Sequence, residues 1–163
     1  ARKSKGSSTI QNTTYRKFPK LGIVCDCGDH MILAHSTGNG PRPDVDEFPR
    51  LVRKAAKLAQ IDDIIADAGY DSESNHEFAR EVVGITSHIP AKVGRPGITL
   101  TRGPYRRQMR ESFDDSKYSE RSQVEAVMSM MKRRQGVATA GRSYQARCRD
   151  LRLMTVTHNI MIL

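Results

Sequence analysis

The alternation of apolar and polar positions divides the chain into a series of short elements. Residues 21–27 (LGIVCDC) and 30–35 (HMILAH) are two β-favouring runs joined through Gly28-Asp29, a pair suited to a hairpin turn. Residues 38–43 are rich in Gly and Pro and read as turn. Phe48, Leu51, Val52, Ala55, Leu58 and Ala59 then recur at intervals of three and four, which predicts an amphipathic helix over about 44–60. Ile61, Ile64, Ile65 and Ala66 predict a short buried strand that ends at Asp67. Asp71 or Ser72 is placed to cap a helix with Phe78, Ala79, Val82 and Val83 as its apolar positions, and Gly84 stops it. Ile85, Ser87 and Ile89 alternate with Thr86 and His88, a strand closed by Pro90. The order hairpin, helix, strand, helix, strand is that of an α/β protein and predicts a mixed sheet flanked by helices, with parallel crossovers.

The remaining stretches are of three kinds. Residues 1–20 are polar and basic without periodicity and read as loop with a frayed strand. Residues 92–117 hold Gly94-Arg95-Pro96-Gly97, Gly103-Pro104 and Arg106-Arg107, which predicts a mobile basic insertion in a single domain spanning 1–163. From Tyr118 a helical pattern runs to about Arg134 with Val124, Val127, Met128 and Met131 as its apolar stripe. A last helix over about 146–163 is apolar on a broad face (Leu151, Leu153, Met154, Val156, Ile160, Met161, Leu163) and is expected to be largely buried.

Composition narrows the class. With 37% hydrophobic and 28% charged residues among 163, the chain is neither low-complexity nor collagen-like. Its longest apolar runs span a few residues, against the roughly 18 needed to cross a bilayer, and no secretory pattern opens it. The expected location is the cytoplasm. Cys25, Cys27 and Cys148 match no disulfide or zinc spacing and read as reduced thiols, Cys25 and Cys27 packing on one strand face.

The net charge of +9 is unevenly spread. Residues 1–20 hold six basic and no acidic side chains, 21–91 six against twelve, 92–134 eleven against five, and 135–163 four against one. An acidic middle between basic arms suits a protein that holds metal with carboxylates and phosphate with cations. Only 6% of residues are aromatic and Trp is absent, which counts against a base-stacking RNA-binding module.

On a helical wheel, Tyr118, Arg121, Glu125 and Lys132 fall within an arc of about 60° beside the apolar stripe. Glu125 is therefore expected near the sheet. Asp67 closes a strand of a partly parallel sheet, and ligands collect at the carboxyl ends of such strands. Together the two carboxylates suit Mg²⁺ or Mn²⁺, hard cations that take carboxylate oxygens and keep waters for substrate phosphate.

These residues carry a family resemblance. Tyr118, Arg121, Glu125 and Lys132 fit, at every interval, the Y-(2)-R-(3)-E-(6)-K signature of DDE transposases of the insertion-sequence-four and -five groups. Residues 66–72 (ADAGYDS) resemble the block around the family's second catalytic aspartate, and 88–92 (HIPAK) its following strand and turn. The resemblance implies a ribonuclease H-like fold and metal-dependent DNA cleavage and strand transfer. Asp67 and Glu125 would be catalytic carboxylates holding two divalent ions, and Tyr118, Arg121 and Lys132 would contact DNA. Arg106 and Arg107 of the basic insertion are expected to add phosphate contacts. The expected partners are transposon ends and target DNA, bound by a homodimer. The family's first aspartate has no counterpart here, so the first strand is expected to be missing and the chain to be a C-terminal fragment. Asp26 and Asp29 are expected to serve the hairpin turn. The alternative is an inactive remnant that only binds DNA.

Overall fold

A computed structural model describes residues 18–40, 43–92 and 103–163. The expectations for 1–17 and 93–102 lie outside the described residues.

The predicted hairpin forms. Strands β1 (Phe18–Cys25) and β2 (Ile32–Gly40) pair antiparallel, with Ile23 opposite His35 and a bulge at Val24/Cys25. The turn is built by aspartates: Asp26 Oδ1 accepts from Gly28 N at 2.7 Å and Asp29 N at 3.1 Å, and Asp29 Oδ1 accepts from Met31 N at 2.8 Å. β2 runs on through Gly40, so residues 38–40 are strand rather than turn. β1 ends at Cys25 and Cys27 lies in the exposed turn, so the two thiols do not share a packed strand face as expected.

After β2 a 3₁₀ turn (Asp44–Glu47) leads into α1 (Phe48–Ala55), which buries Phe48, Leu51, Val52 and Ala55. The helix is shorter than expected; Leu58 falls beyond its end and is 73% exposed. β3 (Asp63–Ile65) follows, then a 3₁₀ turn (Ala68–Tyr70) and α2 (Glu73–Glu77). Of the two candidate caps, Ser72 is the one used, its Oγ accepting from Asn75 N at 3.2 Å. α2 continues as a π-helical segment (Phe78–Val83) that ends at Gly84, whose φ of 81° is left-handed. β4 (Thr86–His88) then pairs parallel with β3. Phe48, Val52, Ile64, Ala79, Ile85 and Ile89 form the core that joins α1 to this parallel pair.

The described part of the 92–117 stretch is helical rather than loose. It holds α3 (Pro104–Glu111), which buries Met109, and α4 (Asp115–Ser119), capped by Asp114. The Glu73 carboxylate accepts from the free N–H groups of Tyr105 (2.9 Å) and Arg106 (3.0 Å), pinning the start of α3 to α2. The Glu73 side chain fills the space beside Gly103, which has no Cβ and a φ of 95°.

α5 (Ser122–Gln135) presents Val127 and Met131 to Ile32 of the hairpin, in keeping with the predicted stripe. α6 (Tyr144–Ile162) departs from expectation. Its buried residues are Cys148, Thr155 and His158, while Leu153, Val156, Ile160, Met161 and Leu163 are about half exposed or more. The reason is polar: α6 lies along the outer edge of β2, whose backbone groups need partners. Asn159 accepts from Ile32 N and donates to Ile32 O, both at 2.9 Å, in place of a neighbouring strand.

The expected single mixed sheet is present as two separate two-stranded ladders, β1–β2 and β3–β4, among the described residues. Between them lies a cavity of about 470 Å³, walled by β1 (Leu21, Ile23, Cys25) on one side and β3 (Ile64, Ile65) on the other.

Candidate active site

Asp67 stands two residues beyond β3, where the chain leaves the sheet with φ −64° and ψ 154°. Tyr118, Arg121 and Glu125 come from the α4–α5 region. The expected continuous helix is broken there: α4 ends at Ser119 and α5 begins at Ser122. Across the junction, backbone bonds of the tighter i to i+3 kind run from Arg121 N to Tyr118 O (3.0 Å) and from Val124 N to Arg121 O (3.2 Å). This overwound turn keeps Tyr118 and Arg121 on the side that faces Asp67.

The Arg121 guanidinium joins the two carboxylates. Its Nη2 donates to Glu125 Oε1 at 2.6 Å and its Nη1 lies 3.4 Å from Asp67. Because the guanidinium fork is rigid, these contacts hold the carboxylate oxygens within about 8 Å of each other. The Tyr118 hydroxyl donates a longer bond to Asp67 Oδ1 at 3.4 Å. Burial, then the negative charge of Asp67, pushes the Tyr118 phenol up, so it stays a donor. Burial opposes the charge on Arg121, but Asp67 and Glu125 outweigh it and the guanidinium is held more firmly protonated than usual. Both carboxylates are 61% exposed, so their ion pairs are worth little to stability and their oxygens remain open to incoming groups.

Asp67, Arg121, Glu125, Ser129, Lys132 and Arg133 line one open concavity. The structure therefore brings together four of the expected residues on that surface, with Tyr118 at its margin. Arg133, which the sequence reading left out, adds a cation beside Lys132. Its signal was its position eight residues after Glu125, about two helical turns.

A family model described as the transposase DDE domain matches residues 1–160. The chain belongs to this family. No curated protein and no solved structure matches it. For a transposase DDE domain the substrate is DNA, and the mixed α/β architecture is consistent with the family's fold. No described helix is long and apolar enough to cross a membrane.

Arg106 and Arg107 lie away from the concavity lining. Arg106, expected on phosphate, instead donates from Nε (2.8 Å) and Nη2 (2.7 Å) to Asp71, whose side chain is fully buried. A buried carboxylate needs a partner, and Arg106 supplies it. Arg107 is exposed. Asp26 and Asp29 are spent on the hairpin turn, as expected.

The family's divalent ions can be weighed against the residues present. Among the described residues no group of three or more His, Cys, Asp or Glu side chains gathers as a metal site. Asp67 and Glu125 nonetheless fit in kind: they offer exposed, hard oxygen donors, and Mg²⁺ is commonly held by one or two carboxylates plus water and substrate phosphate.

Proposed function

We propose that this transposase DDE domain, of the insertion-sequence-four and -five type, cleaves and transfers DNA strands at the Asp67–Glu125 concavity. The observation that carries the reading is the convergence of two carboxylates, 58 positions apart, on one guanidinium at a strand's carboxyl end, inside a basic hollow. Asp67 and Glu125 would hold Mg²⁺ or Mn²⁺, which when bound lowers the pKa of water and offsets charge on the phosphoryl oxygens. Arg121 keeps the carboxylates together without ion or substrate, and its long contact to Asp67 is readily given up for a nonbridging phosphate oxygen. Tyr118, held protonated, donates to the phosphate backbone, and Lys132 and Arg133 neutralise the flanking phosphates.

The cavity between β1 and β3 bears on the fold. β1 is bonded on one side only, to β2, and β3 on one side only, to β4, among the described residues. Two free strand edges facing one cavity suit a further extended segment that would unite the ladders into a single ribonuclease H-like mixed sheet. A segment in that slot ends beside Asp67, which also lines it, and could bring a third carboxylate to the site.

The test is Mg²⁺-dependent plasmid nicking by three proteins: this chain, the chain lengthened upstream by a strand carrying an aspartate, and the lengthened chain with Glu125→Gln. Nicking by the lengthened chain alone is expected, because the amide nearly preserves shape while removing a charge the cation needs. Nicking by the Glu125→Gln protein at the parent rate would overturn the site. DNA binding without nicking in all three would favour the binding-only remnant.

A further inference from the structure

The outer edge of β2 carries a second concentration of positive charge, built from residues that take no part in the Asp67–Glu125 concavity. α1 flanks this edge on one side and α6 on the other. Lys54 of α1 donates to the His35 carbonyl at 3.0 Å. Arg152 of α6 donates to Thr37 Oγ1 from Nε at 3.3 Å and Nη2 at 3.0 Å. Arg50 stands one turn before Lys54 on the same helix face. All three cations are exposed, and among the described residues none pairs with a carboxylate. By contrast Lys20, Arg106, Lys117 and Arg121 are each paired with an acid.

The His35 ring lies among these cations and fixes the polarity of the patch. The Thr155 hydroxyl gives its one hydrogen to the Arg152 carbonyl at 2.7 Å, so it can only accept from His35 Nδ1 at 3.2 Å. Nδ1 therefore carries the hydrogen and Nε2 is the open position. Burial, followed by the charges of Lys54, Arg152 and Arg50, holds the imidazole below its usual pKa. Three cations thus act on the one imidazole, and Glu47, whose carboxylate lies beside Gly38, is not among the charges that shift it.

We propose that this edge, with Arg50, Lys54 and Arg152 around His35, is a second contact surface for the phosphate backbone of duplex DNA. Contacts of this kind position a protein on its substrate without reading sequence. They would hold a stretch of duplex other than the one at the carboxylates. The inference rests on the reading of the chain as DNA-acting, and its test separates the two.

The test measures binding of a labelled duplex by fluorescence anisotropy across a salt series, for the chain, for Arg50→Ala/Arg152→Ala and for Lys132→Ala/Arg133→Ala. Lys54 is left in place because it bonds the strand edge. Loss of two phosphate contacts makes the slope of log K against log salt shallower by about 1.8, close to a twelve-fold smaller loss of affinity between about 50 and 200 mM. Nuclear magnetic resonance of His35 supplies a second readout. Its pKa rises in free Arg50→Ala/Arg152→Ala, and in the parent chain it rises when duplex is added, because phosphates offset the cations. An unchanged slope in that double variant, with a His35 pKa indifferent to DNA, overturns the surface. If Lys132→Ala/Arg133→Ala still weakens binding in that case, the concavity reading stands. A parent chain that shows no salt-dependent binding to duplex overturns both.

Discussion

Replacing Arg106 by Met should test how firmly α3 is tied to the rest of the domain. Asp71 has a fully buried side chain and accepts three hydrogen bonds, two from Arg106 at 2.8 and 2.7 Å and one from Lys92 N at 2.8 Å. The substitution removes two of them and the counter-charge while keeping most of the apolar bulk. Breaking a buried pair from one side costs about 3–5 kcal/mol, which for a domain of this size corresponds to a fall in Tm of roughly 6–20 °C. The loss should depend on pH. His76 Nε2 lies 4.0 Å from Asp71 without a hydrogen-bond partner, and burial, then Arg80, keeps that imidazole below its usual pKa. Arg106 adds to this lowering, while Asp71 and Glu73 oppose it. Without Arg106 the His76 pKa rises, and a protonated His76 can replace part of the lost charge. The variant should therefore be less impaired at pH 5.5 than at pH 8, read as urea midpoints by circular dichroism relative to the parent at each pH. Asp71→Asn/Arg106→Met should cost less than the two single changes together, since it strands no charge. A fall in Tm below about 2 °C, or strict additivity of the two changes, would refute the account.

Other consequences can be measured on the same protein. Burial, reinforced by Asp44, Asp67 and Glu47, pushes the Tyr70 phenol from 10.0 up to about 12. A raised pKa leaves stability intact below pH 10 and withdraws it as pH climbs to 12, by up to about 2.7 kcal/mol. Tyr70→Phe should lose correspondingly less over that window in urea titrations at pH 9 and 11.5, and a parallel loss in both proteins would contradict the assignment. Among the thiols, Cys27 is exposed, Cys148 is buried, and burial, then Cys27 and Asp26, drives Cys25 up to about 12. A thiol reagent at pH 8 should modify Cys27 first, and peptide mapping that finds Cys25 modified equally fast would count against this arrangement.

What could be read in advance was whatever the chain decides locally. Gly28-Asp29 marked the hairpin, Ser72 and Gly84 bounded a helix, and the three-and-four spacing of Phe48, Leu51, Val52 and Ala55 marked the buried face of α1. The spacing of Arg121 and Glu125 was legible for the same reason, and the strand end at Asp67 pointed to the same region. Long-range needs were not legible. Arg106 reads as one cation of a basic loop until Asp71, 35 positions earlier, is seen buried beneath it. The apolar residues of α6 suggested burial, yet its placement is governed by Thr155, His158 and Asn159, which serve groups on β2 and the hairpin turn. The tightened turn at Glu120–Arg121 also escaped the wheel, which assumes uniform winding.

The clasp of Asn159 on Ile32 sets a schedule for synthesis. The two partners are 127 positions apart, so at about 5–20 residues per second the hairpin waits roughly 6–25 s after its own emergence before its outer edge can be covered. A hairpin closes in about 1–10 μs but is marginal alone in water, so through that interval the Ile32 end of the edge lacks its partner while Lys54 reaches only the His35 carbonyl. Until that partner arrives, cover for the nascent edge must come from elsewhere, such as a chaperone or the ribosome surface. A chain truncated shortly before Asn159 would leave the Ile32 end of that edge uncovered and prone to stack on its own copies.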